Sequence, residues 1–146
     1  MLLNREWIEA RIPHRGRMCL LDEVIEWNSK GVRCRISTHR ALDNPLRSHQ
    51  RLGIACGVEY AAQAMALHGA LRGGGVSQGG LLAGVRDMRL FVLRLDDIKS
   101  DLICEVTHLA GDDLTALYEF ELRDPERRLL SGRATVVLDA ARRSRS

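Results

Sequence analysis

Aromatic side chains are scarce in this sequence: two Trp, two Tyr and two Phe, 4% of the chain. So thin a set argues against the stacked platforms that hold single-stranded nucleic acid. It also leaves Leu, Val, Ile and Ala to build the core. A strong charge of one sign is missing as well. The 22 Lys and Arg against 19 Asp and Glu leave only +3, part of it in the closing run Ala140-Ala141-Arg142-Arg143-Ser144-Arg145-Ser146, which is expected to be a disordered basic tail. That is too weak a signature for a nucleic-acid binder. None of the four cysteines, Cys19, Cys34, Cys56 and Cys104, forms a C-x-x-C pair, and no histidine stands at metal-ligand spacing from them. Each lies in an apolar stretch, where a free thiol behaves as a small hydrophobe, so buried, reduced cysteines are expected and no metal. No apolar run nears the ~20 residues that cross a bilayer. The opening Met1-Leu2-Leu3-Asn4-Arg5-Glu6-Trp7 breaks into charge before a secretory core could form. A cytoplasmic protein is the expectation.

What remains is an ordinary globular mixture, 45% hydrophobic and 28% charged over 146 residues, enough for one domain and no second catalytic module. Asn4 to Ile12 reads as a short amphipathic helix stopped by Pro13. Met18 to Trp27 reads as a strand, Asn28-Ser29-Lys30-Gly31 as a turn, and Val32 to Ser37 alternates at period two, so these form a hairpin. Asp43 to Arg51 has no periodicity and is a loop. Ala55 to Leu71 is Ala-rich and apolar on almost every face, which predicts a helix buried all round. Strands are predicted over Leu81 to Val85, Arg89 to Leu95 after a kink near Asp87, Asp101 to Leu109, Leu114 to Leu122 and Leu129 to Leu138. Short turns between strands that outnumber the helices imply an antiparallel sheet of the α+β class. The run Gly73-Gly74-Gly75 with Gly79-Gly80 lacks the Lys-Ser/Thr of a phosphate loop and reads at most as a mobile loop.

One residue breaks this pattern. Glu59 is an acid inside the apolar helix, and a carboxyl taken out of water tends to keep its proton, as a general acid must. The bland alternative is a thin polar stripe shared with Gln63, one turn on. His49, in the loop feeding the helix, has the chemistry of a base.

The residues Gly57-Val58-Glu59-Tyr60-Ala61-Ala62-Gln63-Ala64-Met65-Ala66 resemble the Glu-x-x-x-Gln helix of the hot-dog-fold β-hydroxyacyl-acyl-carrier-protein dehydratases. Ile12-Pro13-His14-Arg15-Gly16-Arg17-Met18-Cys19-Leu20-Leu21-Asp22-Glu23-Val24 is similar to the Pro-His-Arg…Leu-Leu-Asp-x-Val opening of the same enzymes. Leu81 to Arg89 and Gly132 to Val136 match two of their strands, and the closer likeness is to the subgroup of aryl-polyene pigment clusters. The resemblance implies a hot-dog fold, an antiparallel sheet wrapped around the long helix. It further implies dehydration of a 3-hydroxyacyl thioester carried on the phosphopantetheine of an acyl carrier protein, with no cofactor of the protein's own. Glu59 takes the place of the family's helix acid and His49 that of its base, although here the loop reads Ser48-His49-Gln50-Arg51-Leu52-Gly53 and lacks the family's proline. Gln63, as an orienting group for Glu59, and His14 are supporting candidates. The backbone N–H groups of Gly57 and Val58 are candidate donors to the thioester oxygen. The family's base and acid meet across a dimer interface, so a homodimer, or a heterodimer with a related hot-dog subunit, is implied. Arg47, Arg51, Arg86, Arg89 and Arg94 could form a basic landing patch for the acidic carrier. Two other readings share the fold: a non-catalytic subunit that stabilises an active partner, and an acyl thioesterase.

Overall fold

A computed structural model describes residues 3–14, 16–73, 81–112 and 114–137. The expected basic tail, and the glycine run from Gly74 on, lie outside the described residues. The chain opens with helix α1 (Arg5–Glu9), capped by Asn4, whose side chain accepts from the Trp7 N–H at 3.1 Å. A 310 turn (Gly16–Met18) leads to β1 (Glu23–Asn28), which turns back into β2 (Gly31–Ile36). The predicted first strand therefore starts late, because residues 18–22 are pinned by other bonds described below. The long helix α2 (Gly57–Gly73) follows, continuous with a 310 turn at Ile54–Cys56. Then come β3 (Leu81–Leu90), β4 (Leu102–Gly111), β5 (Thr115–Arg123) and β6 (Arg128–Val137).

All six strands form one antiparallel sheet in the order β1-β2-β4-β5-β6-β3. Strand alternation sends Cys34, Cys104, Val106, Tyr118, Phe120 and Leu122 to the inner face, where all are buried. Tyr60, Ala61, Ala64, Met65 and Leu67 of α2 meet them. A fully buried Leu or Met contributes about 1.5–3 kcal/mol. Gly57 marks the closest approach of helix and sheet: a Cβ there would sit 2.6 Å from Leu130 Cδ2 and 3.0 Å from Leu122 Cδ2. The outer face carries exchanged charges instead, such as Arg33 with Glu105 at 2.8 Å.

The kink near Asp87 is a bulge in one continuous strand, with Asp87 at φ 55 and the β3–β6 register shifting between Arg86 and Arg89. Residues 91–95 are not strand. They leave the sheet and run beside the approach to α2: Ile54 N–H donates to Leu93 O at 3.0 Å and Leu95 N–H to Leu52 O at 2.7 Å. Cys19, Cys34 and Cys104 are buried free thiols, as expected, and Cys56 is half-buried. Burial pushes the Cys34 thiol up to about 12, far from the reactive range. Among the described residues no helix is long and apolar enough to cross a membrane.

Candidate active site

The helix is not buried all round. Its sheet side is covered, but Glu59 and Gly69 are exposed and Val58, Ala62 and Ala66 only half-buried. These positions recur at three- and four-residue steps and so share a face. Ala, Gly and Val look alike to a hydropathy pattern whether they face core or water, which is why the periodicity misled. Glu59 thus lies exposed on a stripe of small residues, not in the core. It makes no hydrogen bond or ion pair among the described residues.

Gln63 does not orient Glu59. It is buried on the other side, where its Nε2 donates to Met18 O at 2.6 Å and its Oε1 accepts from Leu20 N–H at 2.9 Å. One amide side chain therefore satisfies both backbone groups of the segment entering β1. Tyr60, next to Glu59, is buried too: its Oη accepts from Asn44 Nδ2 at 2.9 Å and lies 3.1 Å from Thr38 Oγ1. These two neighbours lock the helix in rotation, so the direction of Glu59 is settled by groups that take no part in chemistry.

His49 sits on a two-residue hairpin turn. Ser48 and Arg51 exchange backbone bonds of 2.9 and 3.0 Å, and His49 and Gln50 between them hold φ 52 and φ 66. Both central residues are left-handed, the arrangement of a type I′ turn, which elsewhere favours Asn-Gly. Histidine visits this region more readily than most residues, yet each such residue costs about 1–2 kcal/mol. The exposed His49 side chain has no bonded partner among the described residues.

Glu59 and His49 make no hydrogen bond or ion pair with each other within the chain. Both stand where residues 52–54 and 93–95 pair, His49 just before that ladder and Glu59 in the first turn of the helix that follows it. The edge of β3 away from β6 has no strand against it among the described residues. Along this strand and just beyond it, Leu82, Met88, Leu90 and Phe91 are exposed and Leu93 is 90% exposed, with Arg86, Asp87 and Arg89 exposed among them.

The other sequence candidates fare differently. Gly57 N–H is directed at the carbonyls of Ile54 and Ala55 in the 310 turn, so it is not free to hold an oxyanion. Val58, whose N–H is the other candidate donor, is half-buried in the first turn of α2 and packs partly against the core. His14 is half-buried in the bend after α1, its Nδ1 without a hydrogen bond, and touches neither His49 nor Glu59. Arg47 and Arg94 are no landing patch. Arg47 donates to three backbone carbonyls, and Arg94 is paired with Asp96. Arg51, Arg86 and Arg89 remain exposed. Sequence reading missed Asp96, whose side chain is only 6% exposed next to the His49 loop, where its Oδ1 accepts from Leu52 N–H at 2.9 Å. The Arg94 guanidinium, first, holds its carboxyl well below the usual range. No local pattern announces it, because Asp96-Asp97 reads only as a turn. Among the described residues no His, Cys, Asp and Glu cluster could hold a metal ion.

The fold matches known structures over most of its length. Against the dehydratase heterocomplex ApeI:P from Xenorhabdus doucetiae the TM-score is 0.77, at 24% identity over 90% of each chain. A mutant thioesterase from Pseudomonas aeruginosa matches at 0.58, with 9% identity over 80% of this chain and 79% of that one. The PaaI protein of E. coli matches at 0.59, with 10% identity over 80% and 78%. No curated protein sequence matches. At these identities the likeness shows the hot-dog fold alone. The model of the ApeP-like family, described as ApeP dehydratase, matches residues 7–143, and the chain belongs to that dehydratase family.

Proposed function

We propose that this chain is one half of a 3-hydroxyacyl thioester dehydratase, completed by a related hot-dog subunit and fed by an acyl carrier protein. One observation carries the reading. An imidazole and a carboxyl of the right chemistry stand exposed and without a partner among the described residues, on either side of a segment that pairs with the chain leaving β3, whose outer edge is open to a second chain. A long unpaired strand edge is a place where another chain adds. Family membership and the neighbour's heteromeric assembly support the same picture.

Each composite site then takes its base from one chain and its acid from the other. At the site that uses His49, the imidazole removes a proton from C2 of the acyl chain. The electron pair forms the C2–C3 double bond, and the C3–O bond breaks. A protonated carboxyl, the part Glu59 plays at the other site, gives its proton to the departing hydroxyl. Water and the 2-enoyl thioester leave, and the proton returns from imidazolium to carboxylate. Acid and base each contribute typically ~10²–10⁴-fold.

The test is to give 3-hydroxyacyl and enoyl carrier thioesters to the chain alone and to the reconstituted heterodimer, and to follow the products by mass spectrometry. Gain or loss of water in the heterodimer, and none in the isolated chain, is the expected result. Release of free acid instead would support a thioesterase. A second reading, a subunit that only stabilises its partner, is favoured by the His49 loop, which lacks the family's proline and makes a left-handed two-residue turn instead. Full turnover by a heterodimer carrying both His49→Ala and Glu59→Gln would establish it.

A further inference from the structure

We propose that Arg47 and Asp96 are positioning residues that clamp the left-handed His49–Gln50 turn and so aim the His49 imidazole; the role rests on the assignment of His49 as base. Arg47 side-chain exposure is only 12%, unusual for a guanidinium two residues from a loop tip. Its Nε donates to Ala41 O at 2.8 Å, its Nη1 to Gln50 O at 3.0 Å and its Nη2 to Arg40 O at 3.2 Å. One planar group thus ties the second left-handed residue of the turn to the segment before the loop. On the far side, Asp96 takes the Leu52 N–H at 2.9 Å, and its Oδ2 lies 4.0 Å from Arg47 Nη1. Arg94 Nε, at 2.9 Å from Asp96 Oδ1, holds that carboxylate in place. The clamps therefore fall at Gln50 and Leu52, immediately after His49.

This arrangement answers what holds a strained turn in place. Left-handed non-glycine residues persist only where their surroundings over-determine them. A turn free to relax would swing the exposed imidazole away from the substrate, and a misplacement of about 1 Å can cost 10²-fold in rate. Neither Arg47 nor Asp96 needs to touch the substrate for this.

The test uses Arg47→Met, Asp96→Ala and the conservative Arg47→Lys in the reconstituted heterodimer, with His49→Ala as the reference. Amide hydrogen exchange at Ser48, Arg51 and Leu52 is expected to quicken at least ~10-fold in Arg47→Met and Asp96→Ala. The His49-dependent part of kcat is expected to fall ~10²-fold with KM nearly unchanged. Lysine, able to reach only one carbonyl, should restore part of it. Should the variants not fold, an exchange experiment on Arg47→Lys alone carries the test. Wild-type exchange at the turn, or full His49-dependent kcat in Arg47→Met, overturns the positioning role while the dehydratase reading stands. Full turnover in His49→Ala, by contrast, removes the assignment of the base, and the positioning role with it.

Discussion

His68 and Glu59 lie on the same helix and meet opposite conditions. His68 is buried, with both ring nitrogens engaged: Nε2 lies 3.0 Å from the Asn28 carbonyl and Nδ1 2.8 Å from Tyr118 Oη. A carbonyl only accepts, so Nε2 carries the proton; burial disfavours a second proton, and Nδ1 of the neutral ring takes the Tyr118 hydroxyl hydrogen. The ring is therefore neutral and finished. Tyr118 stands edge-on to His108 as well, at 5.3 Å and 81° between planes, and burial pushes its hydroxyl up to about 12. Glu59, near the other end, has none of this. A titratable group whose bonds are satisfied inside the chain belongs to the fold, whereas one left exposed without a partner is available to something outside it. The difference separates structure from site along one helix.

The largest stability effect should come from the finished end. His68→Ala takes the imidazole from the Tyr118 hydroxyl and the Asn28 carbonyl and leaves a cavity between helix and sheet, and is expected to cost about 2–4 kcal/mol in urea unfolding. Tyr118→Phe removes one hydrogen bond, for about 1–2 kcal/mol. Losses below ~0.5 kcal/mol in both would break the contrast.

The next effect is the pH dependence of stability. Burial first lowers His68, aided by the nearby charges of Arg72 and His108 and opposed by the carbonyls of Asn28 and Ser29. Burial likewise lowers His39, whose Nε2 meets Ile98 O at 2.9 Å. The unfolded chain then binds more protons than the folded one just below about pH 6.5. Stability from these two groups is fully present above that pH and declines as the pH falls toward their folded-state values, by up to about 1.4 kcal/mol per pH unit per histidine. Denaturation midpoints measured between pH 7.5 and 5.5 should therefore fall, and fall less in His68→Gln. A flat profile would mean the imidazoles are not held neutral. Smallest of all should be Glu59→Gln, which is expected to change stability by less than ~0.5 kcal/mol because the carboxyl is exposed and unpaired.

Much of the fold was legible because its signals are local. The Ala-rich helix, the Asn28–Gly31 turn, the period-two strands and the kink at Asp87 all rest on neighbours in the chain. The exposure of Glu59 was not, since Ala62, Ala66 and Gly69 suit core and surface equally. Gln63 was misread for a related reason: its partners at Met18 and Leu20 lie far off in sequence, and an amide one turn from an acid invites the simpler pairing. The segment 91–95 looks like strand, yet Leu93 and Leu95 bond to the approach of α2. Asp96 escaped because its bond to the distant Leu52 N–H leaves no motif, and Arg47 reads as a surface cation because its partners are backbone carbonyls that any sequence supplies. The residues that could do chemistry were visible; the groups that hold them were not.

Turnover of a 3-hydroxyacyl carrier thioester by the reconstituted heterodimer, with this chain either wild type or carrying both His49→Ala and Glu59→Gln, tests the central claim most directly. The account predicts that the doubly substituted chain assembles normally and that enoyl formation falls by ~10²-fold or more. Wild-type turnover from that assembly would contradict it, and would leave this chain as scaffold for chemistry done entirely by its partner.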